Sequence, residues 1–347
     1  MKPKSKESIP LDKFIYKALY NKETGYYMKK NPFGLKGDFI TAPNISILFS
    51  EMICIWIVYF WEKINFPKKI NIIELGAGNG EMMLQIIKSS KNFSAFKKAC
   101  NFFIYEKSPY LKKIQKKKLQ NCKVKWLKKI KKINKAPTIF IGNEFFDSLP
   151  LKQFIKRNNI WFEKYVHRSS NNKRLIEKKI NINKFEKKIG VNLSKGQKFI
   201  EFSPLTFLII KQISRIINKH NGGLLIIDYG YTNKKMYNTL QSVKDHKKTK
   251  ILNYISNSDI THKINYKFIE KIIKKFKLKL NGISTQGEFL TKLGIFHRAE
   301  IISKNLTFSK KADIYYRLKR LTDKKQMGEL FKVMFASNKN INFKAGF

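Results

Sequence analysis

The sequence is poor in cysteine, and its cysteines form no metal-binding or disulfide pattern. Cys54, Cys100 and Cys122 are scattered over 347 residues without a CxxC pair, so we expect neither a disulfide framework nor a metal site. A long apolar run is also missing, because the most apolar stretch, residues 52–61, is too short to cross a bilayer. The segment 1–10 lacks the apolar core of a secretion signal. These absences favour a soluble protein of a reducing compartment.

Acidic residues and arginine are scarce as well. Lys and Arg number 72 against 24 Asp and Glu, a formal charge of +48, yet only seven of the basic residues are arginines. A protein that reads nucleic acid is expected to use more arginine, whose planar fork forms paired hydrogen bonds. Lysine is abundant together with Ile, Asn and Phe, which favours codon drift in an AT-rich genome. The charge is therefore a weak guide to function, although a polyanionic partner stays an alternative.

Strand and helix patterns alternate over much of the chain. Apolar residues make up 43% of it, which is enough to bury a core and excludes wholesale disorder. The pattern predicts strands at 70–75, 102–105, 124–127, 138–141 and 224–228, and helices that begin at 82 and cover 109–119, 204–218 and 266–276. This alternation is typical of a doubly wound α/β fold of about seven strands, with helices on both faces of the sheet.

Two further helices are predicted outside this alternation. One follows Pro43, with Asn44 as its cap, and is closed by Pro67. The other covers 327–333, where the spacing is that of an amphipathic packing helix.

Residues 151–200 interrupt the α/β pattern. They predict a hairpin at 153–166 that turns through Asn158 and Asn159, followed by an exposed polar insertion over 167–188. We divide the chain into an N-terminal loop and helix lead (1–66), the first half of the core (67–150), an inserted subdomain on the substrate side (151–200), and the second half of the core with cleft-closing segments (201–347).

The strongest local signal is a glycine-rich loop between a predicted strand and helix. Glycines let the chain turn sharply and let a ligand approach the backbone. Glu106 ends the next strand, where an adenosine ribose would offer its hydroxyls to a carboxylate. Glu74, two residues before the first glycine, disfavours a pyrophosphate but suits the ammonium and sulfonium of S-adenosylmethionine. The predicted ligands are that donor and its product S-adenosylhomocysteine, held by Glu74, Gly76, Ala77, Gly78, Gly80 and Glu106.

Seven motifs occur in an order that resembles a known family. They are GDFITAP at 37–43, ELGAGNG at 74–80, GNEFFDSLP at 142–150, IDYG at 227–230, DITH at 259–262, TQGEFL at 285–290 and MGELFK at 327–332. The set resembles the MidA family of class I methyltransferases, whose mitochondrial members assist assembly of respiratory complex I. The resemblance extends over nearly the whole chain. It implies a Rossmann-like core and methylation of arginine in a protein, with a complex I subunit as the expected substrate.

Residues for this chemistry follow from the resemblance and from the charge of a guanidinium. Carboxylates that pair with the guanidinium would orient it and stabilise the product. Glu144 is the first candidate for this catalytic task and Asp147 the second, while Asn143 would line the donor pocket or hold the target nitrogen. Asp38 and Thr41 are expected to fold over the donor. Candidates for the substrate cleft are Asp228, Tyr229, His246, Asp259, Thr261, His262 and Gln286.

Two other functions stay open. A nucleic-acid methyltransferase would suit the +48 charge, but an acid follows Asn143 where a base would need an aromatic stacking partner. A non-catalytic assembly chaperone would keep the fold without turnover. We expect a bacterial cytoplasmic enzyme, with related eukaryotic proteins in the mitochondrial matrix, and we expect neither a nucleic-acid partner nor a membrane span.

Overall fold

The computed structural model describes residues 7–29, 32, 40–130, 133–169 and 172–347. Asp38, predicted to lie over the donor, falls outside these residues. The strands are β1 (Glu7–Pro10), β2 (Ile70–Leu75), β3 (Cys100–Tyr105), β4 (Val124–Leu127), β5 (Thr138–Asn143), β6 (Lys152–Arg157), β7 (Ile160–Arg168), β8 (Lys173–Lys179), β9 (Phe199–Phe202), β10 (Gly222–Tyr231), β11 (Gln241–Lys244), β12 (Lys247–Thr249), β13 (Asp259–Thr261), β14 (Ile264–Asn265), β15 (Lys279–Thr285) and β16 (Phe331–Ser337).

Helices of four to seventeen residues connect and cover these strands. They are α1 (Leu11–Tyr20), α2 (Tyr26–Lys29), α3 (Ala42–Ile45), α4 (Ile47–Lys63), α5 (Glu81–Ser90), α6 (Ser94–Ala99), α7 (Pro109–Lys118), α8 (Ile182–Ile189), α9 (Pro204–His220), α10 (Tyr266–Lys275), α11 (Gln286–Lys292), α12 (Ile295–Ser303), α13 (Phe308–Thr322) and α14 (Met327–Leu330). Within the described residues, no helix combines the length and apolar character needed to cross a bilayer.

The central sheet has the strand order β15-β16-β10-β5-β2-β3-β4, with β14 added beside β10. The strands β4, β3, β2, β5 and β10 are parallel, and β16 runs antiparallel to both of its neighbours. From β2 the chain moves outward to β3 and β4 and then returns to β5 on the other side of β2. At such a switch point the carboxyl ends of the strands leave a crevice for a ligand. The predicted doubly wound sheet is confirmed.

Both faces of this sheet are buried, which is why its strands are nearly continuous apolar runs. Successive side chains point to opposite faces. Ile72 and Leu225 belong to the core on the face covered by α4 and α5, and Ile73 and Leu224 to the core on the face covered by α9 and α10.

Two helix predictions need correction. Asn44 does not cap the long helix α4, because the Ser46 Oγ accepts from the Leu48 backbone N–H at 3.3 Å, and α4 ends at Lys63 before Pro67 is reached. Residues 327–333 form one helical turn and then enter β16, an inner strand that is buried throughout. A short apolar run buried on both sides does not reveal its period.

The polar stretch 167–188 is more regular than predicted. The hairpin at Asn158 and Asn159 is present, with positive φ at both residues, but β8 then adds to β7 and α8 follows. The resulting sheet has the order β1-β7-β6-β9, with β8 also paired to β7. It includes β1 from the lead, where Ile9 lies opposite Val166.

The division of the chain into four parts stays a prediction. A third sheet, β12-β11-β13, lies in the second half of the chain.

Candidate functional site

A cavity of about 1320 Å³ opens at the carboxyl edge of the central sheet. Its walls come from the lead, from the ends of β2, β3, β5 and β10, from the three-stranded sheet, and from α9 and α14. A second cavity of about 30 Å³ lies beside the glycine loop and shares Thr41, Gly76, Gly78 and Glu144 with the large one. The large cavity therefore lies in the crevice that the topology predicts.

The glycine loop adopts a conformation that requires glycine. Gly76, Gly78 and Gly80 all have positive φ, a region that side chains with a Cβ rarely enter. A Cβ on Gly76 would come within 2.7 Å of the Phe145 ring. Gly76, Ala77 and Gly78 line the cavities, whereas Gly80 begins α5 and packs against α7. The loop can therefore receive a ligand against its backbone.

Polar side chains tie the lead to this loop. The Asn79 amide donates to the Asn44 Oδ1 at 2.8 Å, and the Asn44 amide donates to the Thr41 Oγ1 at 2.7 Å. Thr41 is buried and lines both cavities. Thr41 therefore lies beside the glycine loop, and its contact with the donor stays a prediction.

Glu74 lies at the end of β2 with its carboxylate in the smaller cavity. It is 4% exposed, and its Oε2 has no hydrogen-bond partner among the described residues. Burial raises the pKa of Glu74 to about 8, and the nearby Glu106 adds to the rise. A buried acceptor without a protein partner fits a cationic ligand group such as the ammonium of the donor.

Glu106 lies at the end of β3 and lines the large cavity. Its Oε1 accepts from the backbone N–H groups of Lys107 and Ser108 at 2.7 and 2.9 Å. Burial raises its pKa although these bonds lower it. Among the described residues, the Oε2 accepts only the Gln115 amide, at 3.2 Å, and a carboxylate oxygen can accept more than one hydrogen bond. Glu106 can therefore take ribose hydroxyls.

Gln115 is a functional residue that the sequence reasoning missed. Its amide donates to the Glu106 carboxylate and also to the Gly78 carbonyl at 2.9 Å, and its Oε1 accepts from the Trp126 indole at 2.9 Å. It is fully buried although it lies on the lysine-covered helix α7. Gln115 lies four residues after Leu111, which places both side chains on the same buried face of the helix. This spacing was the feature of the sequence that could have indicated a buried Gln115.

Glu144 lies directly after β5 at the junction of the two cavities. It has φ of 50°, and its carboxylate accepts from the Ala42 N–H at 3.4 Å and from the Asn143 amide at 3.3 Å. Burial is the main cause that raises the pKa of Glu144 to about 8, with repulsion from Asp147 second. The Asn143 Oδ1 has no partner among the described residues. Glu144 therefore lies beside the glycine loop, and it also lines the large cavity that Asp147 faces.

Asp147 faces the same cavity three residues further along. It is 5% exposed, and its Oδ1 has no hydrogen-bond partner among the described residues. Burial raises its pKa, while the Tyr229 hydroxyl lowers it. Tyr229 in turn interacts with Thr261, and both line the cavity. The structure therefore brings together four predicted residues, namely Glu144, Asp147, Tyr229 and Thr261.

Asp228 supports this acidic group from behind the cavity wall. It is fully buried, and its Oδ2 accepts from the backbone N–H groups of Phe146 and Asp147 at 3.1 and 3.2 Å. The Oδ1 accepts from the Tyr229 N–H at 3.0 Å. Burial and the charges of Asp147 and Glu144 raise its pKa. Asp228 therefore stabilises the turn that carries Glu144 and Asp147.

Tyrosines of the lead form a further wall that was not predicted. The Tyr27 hydroxyl donates to both carboxylate oxygens of Asp259, at 2.8 and 2.9 Å. Tyr20 stacks on Tyr27 with 5.5 Å between ring centroids, and its hydroxyl donates to the Ser148 carbonyl. All of these residues line the cavity. The predicted Asp259 is thus at the site, paired with a lead residue 232 positions away.

Four predicted cleft residues do not line the cavity, and one of them is Asp228, described above. His246 is exposed at the turn between β11 and β12. His262 is buried, its ring bonds the Leu149 carbonyl at 3.2 Å, and burial lowers its pKa. Gln286 is buried, and its amide donates to the Leu321 carbonyl at 2.9 Å. The prediction that these residues line the cleft is therefore corrected. The side chains of His262 and Gln286 bond backbone carbonyls instead.

The two adjoining cavities combine two chemical environments. The glycine loop lines both of them, with Glu74 in the small cavity and Glu106 in the large one, and these groups fit an adenosine ligand with a cationic side chain. At its acceptor end, the large cavity has the carboxylates of Glu144, Asp147 and Asp259, which fit a cationic substrate group. Within the described residues, no group of His, Cys, Asp and Glu could hold a metal ion. Fold and site together define an α/β enzyme that binds an adenosine-containing donor.

The chain belongs to a family of S-adenosyl-L-methionine-dependent methyltransferases, whose family model matches residues 52–284. The predicted family and its methyl donor are thereby confirmed. A relative from Xenopus laevis, named protein arginine methyltransferase NDUFAF7, mitochondrial, is 26% identical over 95% of this chain and 81% of its own length. The human protein of that name is 25% identical over 95% and 80%. The Caenorhabditis elegans homologue is 28% identical over 79% and 70%.

Solved structures agree on the fold. The chain is similar to a methyl transferase from Burkholderia thailandensis, crystallised with bound S-adenosyl-homocysteine, with a TM-score of 0.83 and 19% identity. The similarity covers 98% of this chain and 90% of that one. The native crystal structure of a protein of the same superfamily and organism gives a TM-score of 0.82 at 19% identity, over 98% of this chain and 89% of that one.

Proposed function

We propose that the protein is a protein arginine N-methyltransferase. The observation that carries this proposal is the position of Glu144 and Asp147, which face the same cavity as the glycine loop of the donor site. Two carboxylates at the acceptor end suit a planar cation, because a guanidinium can donate two parallel hydrogen bonds to a carboxylate. The names of the relatives described above, which are protein arginine methyltransferases, support the same substrate group.

The chain's own residues account for holding both reactants. Gly76 and Gly78 would take the donor against their backbone, Glu106 the ribose, and Glu74 the ammonium. When bound, the donor supplies an electrophilic methyl group on a sulfonium. Glu144 and Asp147 would orient the guanidinium and localise its charge away from the reacting nitrogen.

A proton must also leave, because a guanidinium that gains a methyl group at nitrogen has to lose one N–H proton to remain a monocation. Glu144 is suited to accept it, since burial raises its pKa to about 8. An acid with a pKa near the working pH is effective in proton transfer.

The test is methyl transfer to arginine, followed by mass spectrometry of the modified side chain. We expect methylarginine with the wild type, and a loss of about 100-fold or more in kcat for Glu144→Gln, with binding of S-adenosylhomocysteine retained. Glu62→Gln, an exposed residue of α4, is the matched control and should keep full activity. Wild type that binds S-adenosylhomocysteine but methylates no arginine would contradict the proposal and favour an assembly chaperone.

We further propose a subunit of respiratory complex I as the protein substrate and the bacterial cytoplasm as the compartment. The resemblance of the seven motifs to the MidA family, whose mitochondrial members assist assembly of complex I, supports the proposed substrate. The eukaryotic relatives are themselves named mitochondrial, which agrees with that substrate. The carboxylates at the acceptor end disfavour a polyanion, so we propose no nucleic-acid substrate. Methylarginine on a complex I subunit that disappears when the gene is deleted would be the supporting result.

A further inference from the structure

We infer that the target arginine lies in a segment with apolar residues on either side, held by an apolar rim at the mouth of the cavity. The apolar rim consists of Leu205, Leu208, Ile209, Met327, Leu330 and Phe331, all of which line the cavity. This inference rests on the proposed arginine methylation and specifies the class of protein segment that the enzyme accepts.

The first part of the apolar rim is a second stripe on α9. The core-facing stripe of this helix includes Phe207, Ile210 and Ile213, which pack under the central sheet. Leu208 lies on another face of the helix, is exposed and lines the cavity, while Leu205 and Ile209 lie at the border of the core-facing stripe and contact both the core and the cavity. The helix thus carries apolar side chains beyond its core-facing stripe, where the substrate would pass.

The second part lies at the junction of α14 and β16. Met327, Leu330 and Phe331 have the same spacing of three and four residues and line the same cavity. Leu330 is 44% exposed and Leu208 is 47% exposed. A single exposed leucine is ordinary. Two of them from separate elements line one cavity together with four less exposed apolar residues, and apolar side chains gathered around a cavity are of the kind that marks a binding site.

The apolar rim is continuous with the acidic end of the cavity. The Phe331 ring contacts the Tyr229 ring with 5.7 Å between centroids. The Tyr229 hydroxyl in turn forms a hydrogen bond with the Asp147 carboxylate, which lowers the pKa of Asp147. An arginine held at Glu144 and Asp147 would therefore place its neighbours in the chain beside the rim.

The size of the cavity also requires more than the donor. Pockets for a single small molecule have volumes of roughly 300–1,000 Å³, and this cavity has about 1320 Å³. The excess volume leaves room for an arginine side chain and part of its flanking segment.

Cations at the same cavity offer the competing specificity. Among the described residues, seven cationic side chains also line it and would favour acidic residues beside the arginine, namely Lys22, Lys107, Lys112, Lys128, Lys248, Lys263 and Arg320. Lysine is abundant over the whole chain, with 72 basic residues in total, so its presence at one cavity distinguishes that cavity little. Exposed leucines are not abundant, and for that reason the apolar residues carry the inference.

Peptides of equal length with one central arginine test this choice. Their flanking residues would be leucine and valine, serine and glycine, or aspartate and glutamate. We expect kcat/KM for the apolar peptide to exceed that for the serine and glycine peptide about tenfold, through a lower KM. Equal values, or a preference for acidic flanks, would overturn the inference and leave the proposed function standing. No methylarginine in any peptide would overturn both.

Variants of the apolar rim provide the second arm. Leu208→Ser and Leu330→Ser should each raise KM for the apolar peptide several-fold, leave kcat unchanged and weaken the preference over serine and glycine. Leu175→Ser is the matched control, because Leu175 is 41% exposed on β8 and does not line the cavity. Unchanged affinity for S-adenosylhomocysteine would show that the variants are folded. A preference that survives both substitutions would overturn the inference.

Discussion

Single buried residues decide the geometry of the donor site, and Gln115 is the clearest example. It is the one side chain named above that bonds both the glycine loop, through the Gly78 carbonyl, and the ribose acid Glu106. The Trp126 indole fixes the other end of its amide. The predicted donor contacts of Gly78 and Glu106 would depend on Gln115 even if Gln115 itself does not touch the donor, because its side chain is bonded to both residues.

Replacement of this residue should weaken donor binding without unfolding the protein. We expect Gln115→Leu to raise the Kd for S-adenosylhomocysteine about 10- to 100-fold, because the variant loses a hydrogen bond to a carboxylate and one to the loop. The measurement is calorimetric titration, with KM for the arginine substrate as a readout that should change little.

Gln85→Leu is the control, since the Gln85 amide also donates to a carboxylate, that of Glu81 at 2.8 Å, but Gln85 lines neither cavity. If both variants weaken binding equally, the positioning role of Gln115 is wrong.

The sequence identified those site residues whose role depends on strand ends. Glu74, Glu106 and Glu144 each lie at the end of a parallel strand, so a local pattern places them at one edge of the sheet. The role of Gln115 depends on contacts between α7 and two loops, which no local pattern contains. His262 and Gln286 had the right residue type, but tertiary packing turned their side chains to backbone carbonyls instead of the cavity.

At the scale of elements, parts far apart in sequence close the cavity. The three-stranded sheet of β11, β12 and β13 reaches the lead through the bonds between Tyr27 on α2 and Asp259 on β13. The lead also meets α7, because the Ser108 hydroxyl donates to the Tyr27 carbonyl at 2.7 Å. Tyr27 thus joins the donor side of the cavity to its substrate side.

Loss of this one hydroxyl should loosen the three-stranded sheet. In Tyr27→Phe we expect faster amide hydrogen exchange over 241–261 and a fall of about tenfold in kcat/KM for the arginine substrate. The ring remains to stack on Tyr20, so the core of the lead should stay folded. Exchange measured by mass spectrometry, with and without S-adenosylhomocysteine, checks the prediction.

The control for this prediction is Tyr254→Phe, an exposed tyrosine that does not line the cavity. Unchanged exchange in Tyr27→Phe would show that the Tyr27 hydroxyl does not hold the three-stranded sheet.

Elements were predictable where apolar runs alternated with helices. The strands at 70–75 and 124–127 coincide with β2 and β4, and the alternation with helices gave the parallel core. β16 was missed because it is antiparallel and directly follows the helical turn α14, so it stands outside that alternation. β8 was missed because its residues are mostly polar and exposed. α8 was missed although Ile182, Phe185 and Ile189 form an apolar stripe that packs against the core. Pairing with β7, rather than an apolar pattern, makes β8 a strand.

At the scale of the whole molecule, the buried carboxyl groups of the site lower the stability of the fold when they are ionised. Burial raises the pKa of Glu74 and Glu144 to about 8, and those of Glu106, Asp147 and Asp228 are raised too. A carboxyl whose pKa is higher in the folded than in the unfolded state stabilises the fold only while it is protonated. For Glu144 this contribution is complete below the ordinary value of 4.5 and is lost as the pH rises through about 8.

The last prediction isolates this effect at Glu144. Because glutamine stays neutral, we expect the Tm of ligand-free Glu144→Gln to exceed that of the wild type by an amount that grows from about pH 5 to about pH 8 and then levels off. The repulsion among 72 basic residues changes with pH as well, but it is common to both proteins and cancels in the difference. Calorimetry of the two proteins over this pH range is the measurement, with Glu62→Gln as the exposed control. A difference that stays flat, or grows as the pH falls, would mean that Glu144 is solvated in the folded protein and cannot serve as the proton acceptor near neutral pH. The pH dependence of stability thus tests the same acid that the proposed methyl transfer requires.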